Sequence, residues 1–169
     1  MIVRSVIDRS AAILLQPHLY FTCDDDFMDF GDGSVYAATM AILGALLAAF
    51  LGSEGSPYHS FGLIPALIIS PLAGVLTTFA MAGIFQVLCK ALGSQGDFGD
   101  SFHIAASAAV FIPISQLLSV FPLIIVSIGW AWWVVSRGVI HVHNVEPRKA
   151  EVAFALLYAS LLLIATTND

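Results

Sequence analysis

Five stretches of this chain are long and oily enough to cross a lipid bilayer, and no other feature constrains its fold as strongly. They run from about Val35 to Leu51, Phe61 to Leu88, Phe102 to Val120, Phe121 to Val142 and Ala150 to Thr167. A span needs about 20 predominantly apolar residues, within a range of about 17–25. Inside hydrocarbon the backbone must satisfy its own hydrogen bonds, so each stretch is expected to be a helix. The expected fold is therefore all-α, an integral membrane bundle of five transmembrane helices. Composition agrees. Of 169 residues, 59% are hydrophobic and 11% charged, against about 45–50% and about 25% in ordinary soluble chains. With lipid as solvent, that apolar surface needs no covering.

The breaks between stretches have turn chemistry. Gly52-Ser53-Glu54-Gly55-Ser56-Pro57 separates the first two, and Gly93-Ser94-Gln95-Gly96-Asp97-Phe98-Gly99-Asp100 the next two. Between the third and fourth only Ser119-Val120-Phe121-Pro122 is available, with Pro122 suited to a first helical turn. This predicts a tight hairpin between spans three and four. Pro65 and Pro71 are expected to kink the long second stretch or split off a re-entrant start. Small residues should mediate helix contacts: Gly44, Ala48 and Gly52 on the first span, Ala105 and Ala109 on the third.

Basic residues set the orientation, because Lys and Arg collect on the cytoplasmic side. Arg4 and Arg9 precede the first span, Lys90 follows the second, and Arg137, Arg148 and Lys149 flank the break before the fifth. Five crossings with the N-terminus inside place all six on one side. The expectation is a multi-pass protein of the cell membrane with a cytoplasmic N-terminus and its C-terminus outside.

Residues 1–34 read as a separate unit, an N-terminal interfacial helix and acidic connector, ahead of a five-span membrane domain at 35–169. From Ser5 to Phe21, Val6, Ile13, Leu14 and Tyr20 should face lipid, with Arg4, Asp8, Arg9 and Gln16 in water. Pro17 should end or kink this helix. The apolar run Ala11 to Leu15 is too short for a signal peptide, and no small-residue cleavage site follows. Asp24-Asp25-Asp26, Asp29 and Asp32 read as a hydrated connector without the spacing of a calcium loop.

Polar residues within spans are candidate contacts or path-lining groups. Gln86 and Gln116 suit interhelical hydrogen bonds. Arg137 follows Trp133 by one turn, so it can stack on that indole or reach the headgroups. One of Trp130, Trp132 and Trp133 should pack inside the bundle with its N–H paired. If spans three and four fold back about Ser119 to Pro122, Asp100 lies level with His141, and Phe98 with His143. Asp97, Asp100, His103, His141 and His143 could then meet in a polar rim cluster. Such a set could hold a metal, form a pH-sensitive ion-pair group, or simply cap helix ends.

Several classes are excluded. A net charge of −6 with six scattered basic residues does not suit nucleic acid. Cys23 and Cys89 lack metal-ligand spacing. No His-Glu-x-x-His, Gly-x-Ser-x-Gly or phosphate-loop pattern occurs, so no enzyme and no cofactor is expected. The expected partners are the lipid bilayer and other membrane proteins or further copies of the chain.

The stretch from Gly93 to about Ala155 resembles the Yip domain family, the Ypt/Rab-interacting membrane proteins. The matching features are Gly93-Ser94-Gln95-Gly96-Asp97-Phe98, Ser101-Phe102, Pro113, Trp130, Gly138, His143 and Lys149-Ala150. Leu14-Leu15-Gln16-Pro17-His18-Leu19-Tyr20-Phe21 is similar to an element that opens prokaryotic members. The resemblance implies five spans, a cytoplasmic N-terminus and no catalysis. Eukaryotic relatives act in vesicle traffic with small GTPases and carry a long cytoplasmic N-terminal region; this chain is expected to lack it, so it looks more like the compact prokaryotic members and GTPase binding is not carried over. A non-enzymatic scaffold that organises membranes is the expectation. The alternative is a small transporter or channel component lined by Gln86, Gln116 or the rim histidines.

Overall fold

A computed structural model describes residues 2–23, 27–51, 62–119 and 123–167. Among them the chain is all-α, with no strand. The helices are α1 (Ile2–Leu15), α2 (Pro17–Thr22), α3 (Phe30–Leu51), α4 (Leu63–Ala91), α5 (Phe98–Ala108), α6 (Phe111–Ser119), α7 (Ile124–Val142) and α8 (Pro147–Thr167). Four stretches of the described residues are long and apolar enough to cross a membrane: Phe30–Leu51, Ile64–Ala91, Phe98–Leu118 and Ile125–Val142. The fifth expected crossing falls on α8, whose side chains are described only as far as residue 160. The turn expected at Ser119 to Pro122 includes residues 120–122, outside those described, as does Gly52.

Each helix begins or ends for a local reason. Pro17 closes α1 and sits in the first turn of α2, where its missing N–H costs nothing. The first span starts at Phe30 and not near Val35, because the Asp29 carboxylate accepts from the Asp32 N–H at 2.8 Å and caps α3. Asp29 and Asp32 therefore mark a helix start, and both are exposed there. Likewise the third span starts at Phe98 and not at Phe102. Asp97 and Asp100 form a reciprocal capping box there, at 3.0 and 2.8 Å. The second stretch is one continuous helix. Pro65 lies in its first turn, and Pro71 is carried inside it without a split.

The third span is two helices, α5 and α6, where one was expected. Pro113 explains the break. It cannot donate to the carbonyl four residues earlier, at Ala109, and its ring crowds that carbonyl. The chain tightens there instead, with three-residue bonds from Ala109 to Ala106, Val110 to Ser107 and Ile112 to Ala109.

α3 is the central helix and packs on α4, α5 and α6. Small residues allow this. A side chain at Gly33 would strike Phe102 of α5 at 2.5 Å, and one at Gly44 would strike Ile112 of α6 at 2.7 Å. One at Gly74 of α4 would strike Ala41 at 2.6 Å. The remaining helices gather α7 against α2, α5, α6 and α8. Ile13, Tyr20, Phe21 and Met28 join the same apolar core as Phe102, Val135 and Phe154. Ile13 and Tyr20 were expected to face lipid, and both are buried against protein. The exposed apolar side of α1 and α2 is instead Ile7, Leu15 and Leu19.

Candidate functional site

The densest polar cluster lies where α4 ends, α5 begins and α7 ends. α4 closes in a left-handed turn. Gly93 takes φ +89, its N–H donates to the Lys90 carbonyl, and the Ser94 N–H donates to the Cys89 carbonyl at 2.9 Å. This satisfies carbonyls that a helix end otherwise leaves open and delivers the Ser94 side chain inward. Three residues later the Asp97–Asp100 box launches α5, which brings Ser101 to the same point. His143, just past α7, sits between the two serines. Ser94, Ser101 and His143 are all buried.

The hydrogen bonds close into a ring. The Gly96 N–H donates to Ser94 Oγ at 3.0 Å. Ser94 Oγ lies 2.9 Å from His143 Nδ1, and Ser101 Oγ lies 3.0 Å from His143 Nε2. The Ser101 hydroxyl donates to Gln86 Oε1 at 2.7 Å, and Gln86 Nε2 donates to the Gly96 carbonyl at 3.2 Å. Proton counting fixes the tautomer. Ser101 spends its one proton on Gln86, so His143 Nε2 must carry a proton to meet Ser101 Oγ. Nδ1 is then the acceptor for Ser94. The ring is complete with a neutral imidazole, and burial accordingly holds the His143 pKa below its ordinary value of 6.5. Asp100 pulls it back up, Lys90 pushes it down, and Asp97 raises it. Gly96 has to be glycine for this packing, since a Cβ there would collide with His143 Nδ1 and lie 2.9 Å from Asp100 Oδ2.

Two serines on one histidine have the composition of a nucleophile and base. Here both imidazole nitrogens are occupied by hydroxyls and the chain of bonds returns to the backbone, so the arrangement ties the ends of α4 and α7 to the start of α5. Among the described residues no group of three or more His, Cys, Asp or Glu could hold a metal ion.

The histidines expected at one rim take three different partners. His103 turns toward the N-terminal segment, where Nδ1 accepts from the Met28 N–H at 3.0 Å. Phe27 stacks on it at 4.7 Å, Tyr20 stacks at 5.5 Å, and Phe21 meets it edge-on. His141 meets His18 of α2, ring centroids 4.4 Å apart. Only His143, Asp97 and Asp100 come together, and the two carboxylates serve the helix cap. Ser101 of α5 meets His143, and Ile104 of α5 meets Gly138 of α7. His103 and His141 do not join them, because α2 packs against both rings.

Arg137 reaches Glu151 of α8 at 3.3 Å, a partner the sequence reading did not name. Gln86 of α4 accepts from the Ser101 hydroxyl of α5 and donates to the Gly96 carbonyl. Gln116 lies half-buried on α6, and Trp133 is 38% exposed on α7. Trp132 is the tryptophan that turns inward, and its Nε1 has no partner among the described residues. It lines a cleft of about 240 Å³ between α7 and α8, with Ile128, Gly129, Ala155 and Tyr158. Sequence reasoning missed Ser94 and Ser101 as site residues. Their signal was available, because a serine three before and a serine four after a capping aspartate flank the same helix start.

The family model described as Yip1 domain matches residues 13–167. No curated protein and no solved structure matches the chain.

Proposed function

This chain belongs to the Yip1 domain family, and from that premise we propose that it is a non-enzymatic scaffold of the cell membrane that organises lipid or partner proteins. It crosses the bilayer five times, with the segment ahead of Phe30 at the cytoplasmic surface and the C-terminus outside. The observation that carries this reading is the state of the polar groups a transport path would need. Gln86 and His143 spend their hydrogen bonds on Ser101, Ser94 and Gly96, and the cleft between α7 and α8 is lined almost wholly by apolar side chains. A path for ions or polar solutes needs polar groups that stay available to the passing species.

Flux across reconstituted vesicles tests the proposal. Proteoliposomes that pass protons, sodium, potassium and small neutral solutes no faster than empty vesicles support it, with co-purification of a stable partner from native membranes as the positive sign. A saturable flux that disappears in Gln116→Ala or His141→Ala makes the protein a transporter and ends the scaffold reading. Reporter tags on the two termini test the topology, and tags found on the same side remove the five-crossing arrangement.

A further inference from the structure

α7 carries a stripe whose two halves differ in chemistry. Val126, Trp130 and Trp133 are exposed, and Arg137 and His141 follow Trp133 by one and two turns. At about 3.6 residues per turn these positions share one face of the helix. Its apolar half suits hydrocarbon. Its polar half lies at the end that holds the His143 ring, where α2 brings the exposed His18 edge-on to His141. Leu15 and Leu19, beside His18 in the chain, are also exposed. The Arg137 guanidinium thus shares this end of the stripe with two imidazoles, and Glu151, on Arg137, is the one carboxylate paired with any of them among the described residues. His141 Nε2 is shut off from solvent and has no hydrogen-bond partner among the described residues.

We propose that Arg137 and the exposed His18, whose ring is backed by His141, hold the phosphate of an anionic glycerophospholipid, with its acyl chains lying along Trp133 and Trp130. A guanidinium presents parallel N–H groups that match phosphate oxygens, and an imidazole adds a directed donor. Trp130 and Trp133, toward the middle of the span Ile125–Val142, lie at the depth of acyl chains and offer them broad apolar faces. The stripe argues for a lipid over free phosphate, because the exposed indoles continue directly from Arg137 and a small ion would use none of them. The chain is acidic, at −6 overall, so the Arg137 guanidinium with an imidazole donor beside it is what would let it hold an anionic lipid. This goes beyond the scaffold reading and requires only that α7 crosses the bilayer.

The test uses the full chain in a mild non-ionic detergent, with phosphatidylglycerol, phosphatidylcholine or inorganic phosphate added. Retained lipid is counted by native mass spectrometry, and thermal unfolding is followed alongside. Phosphatidylglycerol should be retained and raise Tm, phosphatidylcholine should bind about fivefold more weakly, and inorganic phosphate should do nothing. Arg137→Gln and His18→Asn should each weaken phosphatidylglycerol retention about fivefold. Glu151→Gln should keep or strengthen it, and Lys90→Gln, on exposed α4, should leave it unchanged. If Arg137→Gln does not fold, His18→Asn decides, because its ring is exposed. Equal retention by wild type and these two variants, equal binding of the two lipids, or stabilisation by inorganic phosphate alone would each overturn the proposal. The readout is binding, so flux measured on the same protein leaves it untouched.

Discussion

α4 is held in two different ways along its length. Near its middle it crosses α3 by close approach alone, with Gly74 against the Cβ of Ala41 and the carbonyl of Ala37. At its end it is held by directed bonds, through Gln86, Ser94, Ser101 and His143. The contrast follows from the medium. Lipid tails are as apolar as leucine, so helices within the bilayer gain little by hiding apolar side chains and must gain by fitting. At the headgroup level water competes for every polar group, and only a ring that spends all its donors on protein acceptors is fixed in place. A fitted contact fails as soon as volume is added. A hydrogen-bonded ring should fail by degrees, one bond at a time.

Gly74→Leu should produce the largest loss. Its Cβ would lie 2.6 Å from Ala41 Cβ and 3.2 Å from a backbone carbonyl, and neither can swing away. A cost of about 3 kcal/mol or more is expected, at the upper end for overpacking. In size-exclusion chromatography and thermal unfolding in detergent, the variant should lose its monodisperse peak. Gly83→Ala on the same helix is the control, since nothing lies within 4 Å of a Cβ there. It should match wild type or gain about 0.5–1 kcal/mol from helix propensity. Equal behaviour of Gly74 and Gly83 variants would erase the distinction between the two modes.

Gly96→Ala comes next, at about 1–3 kcal/mol. Its Cβ meets a side chain, His143, which can retreat at the cost of its own bonds. His143→Ala should follow closely. It strands the buried Ser94 and Ser101 hydroxyls, although Ser101 keeps Gln86 and Ser94 can turn to the residue 143 carbonyl, 3.1 Å away in the wild type. About 1–2 kcal/mol is expected in a thermal-unfolding series. Ser101→Ala, which leaves Gln86 Oε1 and His143 Nε2 without their partner, should give a similar loss. Additive losses in the double variant would show that the bonds are independent and not a ring.

The same division governs how much the sequence discloses. Apolar length reveals a helical membrane protein, because the bilayer imposes it on the chain locally. The ladder on α3 was legible for a related reason, since Gly44 and Ala48 mark a face where backbones approach. The break at Ala109 was less so. Pro113 flagged a disturbance, but its effect falls four residues earlier, on the carbonyl it crowds. The ring was not legible. Its members come from residues 86, 94, 96, 101 and 143, and only the folded register brings them together. His103 lies apart from His143 because Tyr20 of α2 and Met28 cover it, and nothing in the sequence marked those contacts.

The smallest effect expected is that of acid, and its sign separates the ring from a surface ion pair. Burial keeps His143 neutral in the fold, below the ordinary 6.5. Between that lowered value and about 6.5 the unfolded chain binds a proton that the folded one refuses, so stability rises with pH across this window. The contribution is whole above about 6.5 and is lost as pH falls toward the native value. Protonation would set two donors, Nδ1–H and the Ser94 hydroxyl, against each other. The hydroxyl can turn to the His143 carbonyl at 3.1 Å, which cushions the loss and makes it smaller than that of His143→Ala. Thermal unfolding from pH 8 to 5 should show Tm falling below about 6.5 in the wild type. The slope should be shallower in His143→Gln, which keeps polarity and cannot titrate. A Tm that rises on acidification, or falls equally in both proteins, would mean that His143 is not held neutral and that the ring does not close as drawn.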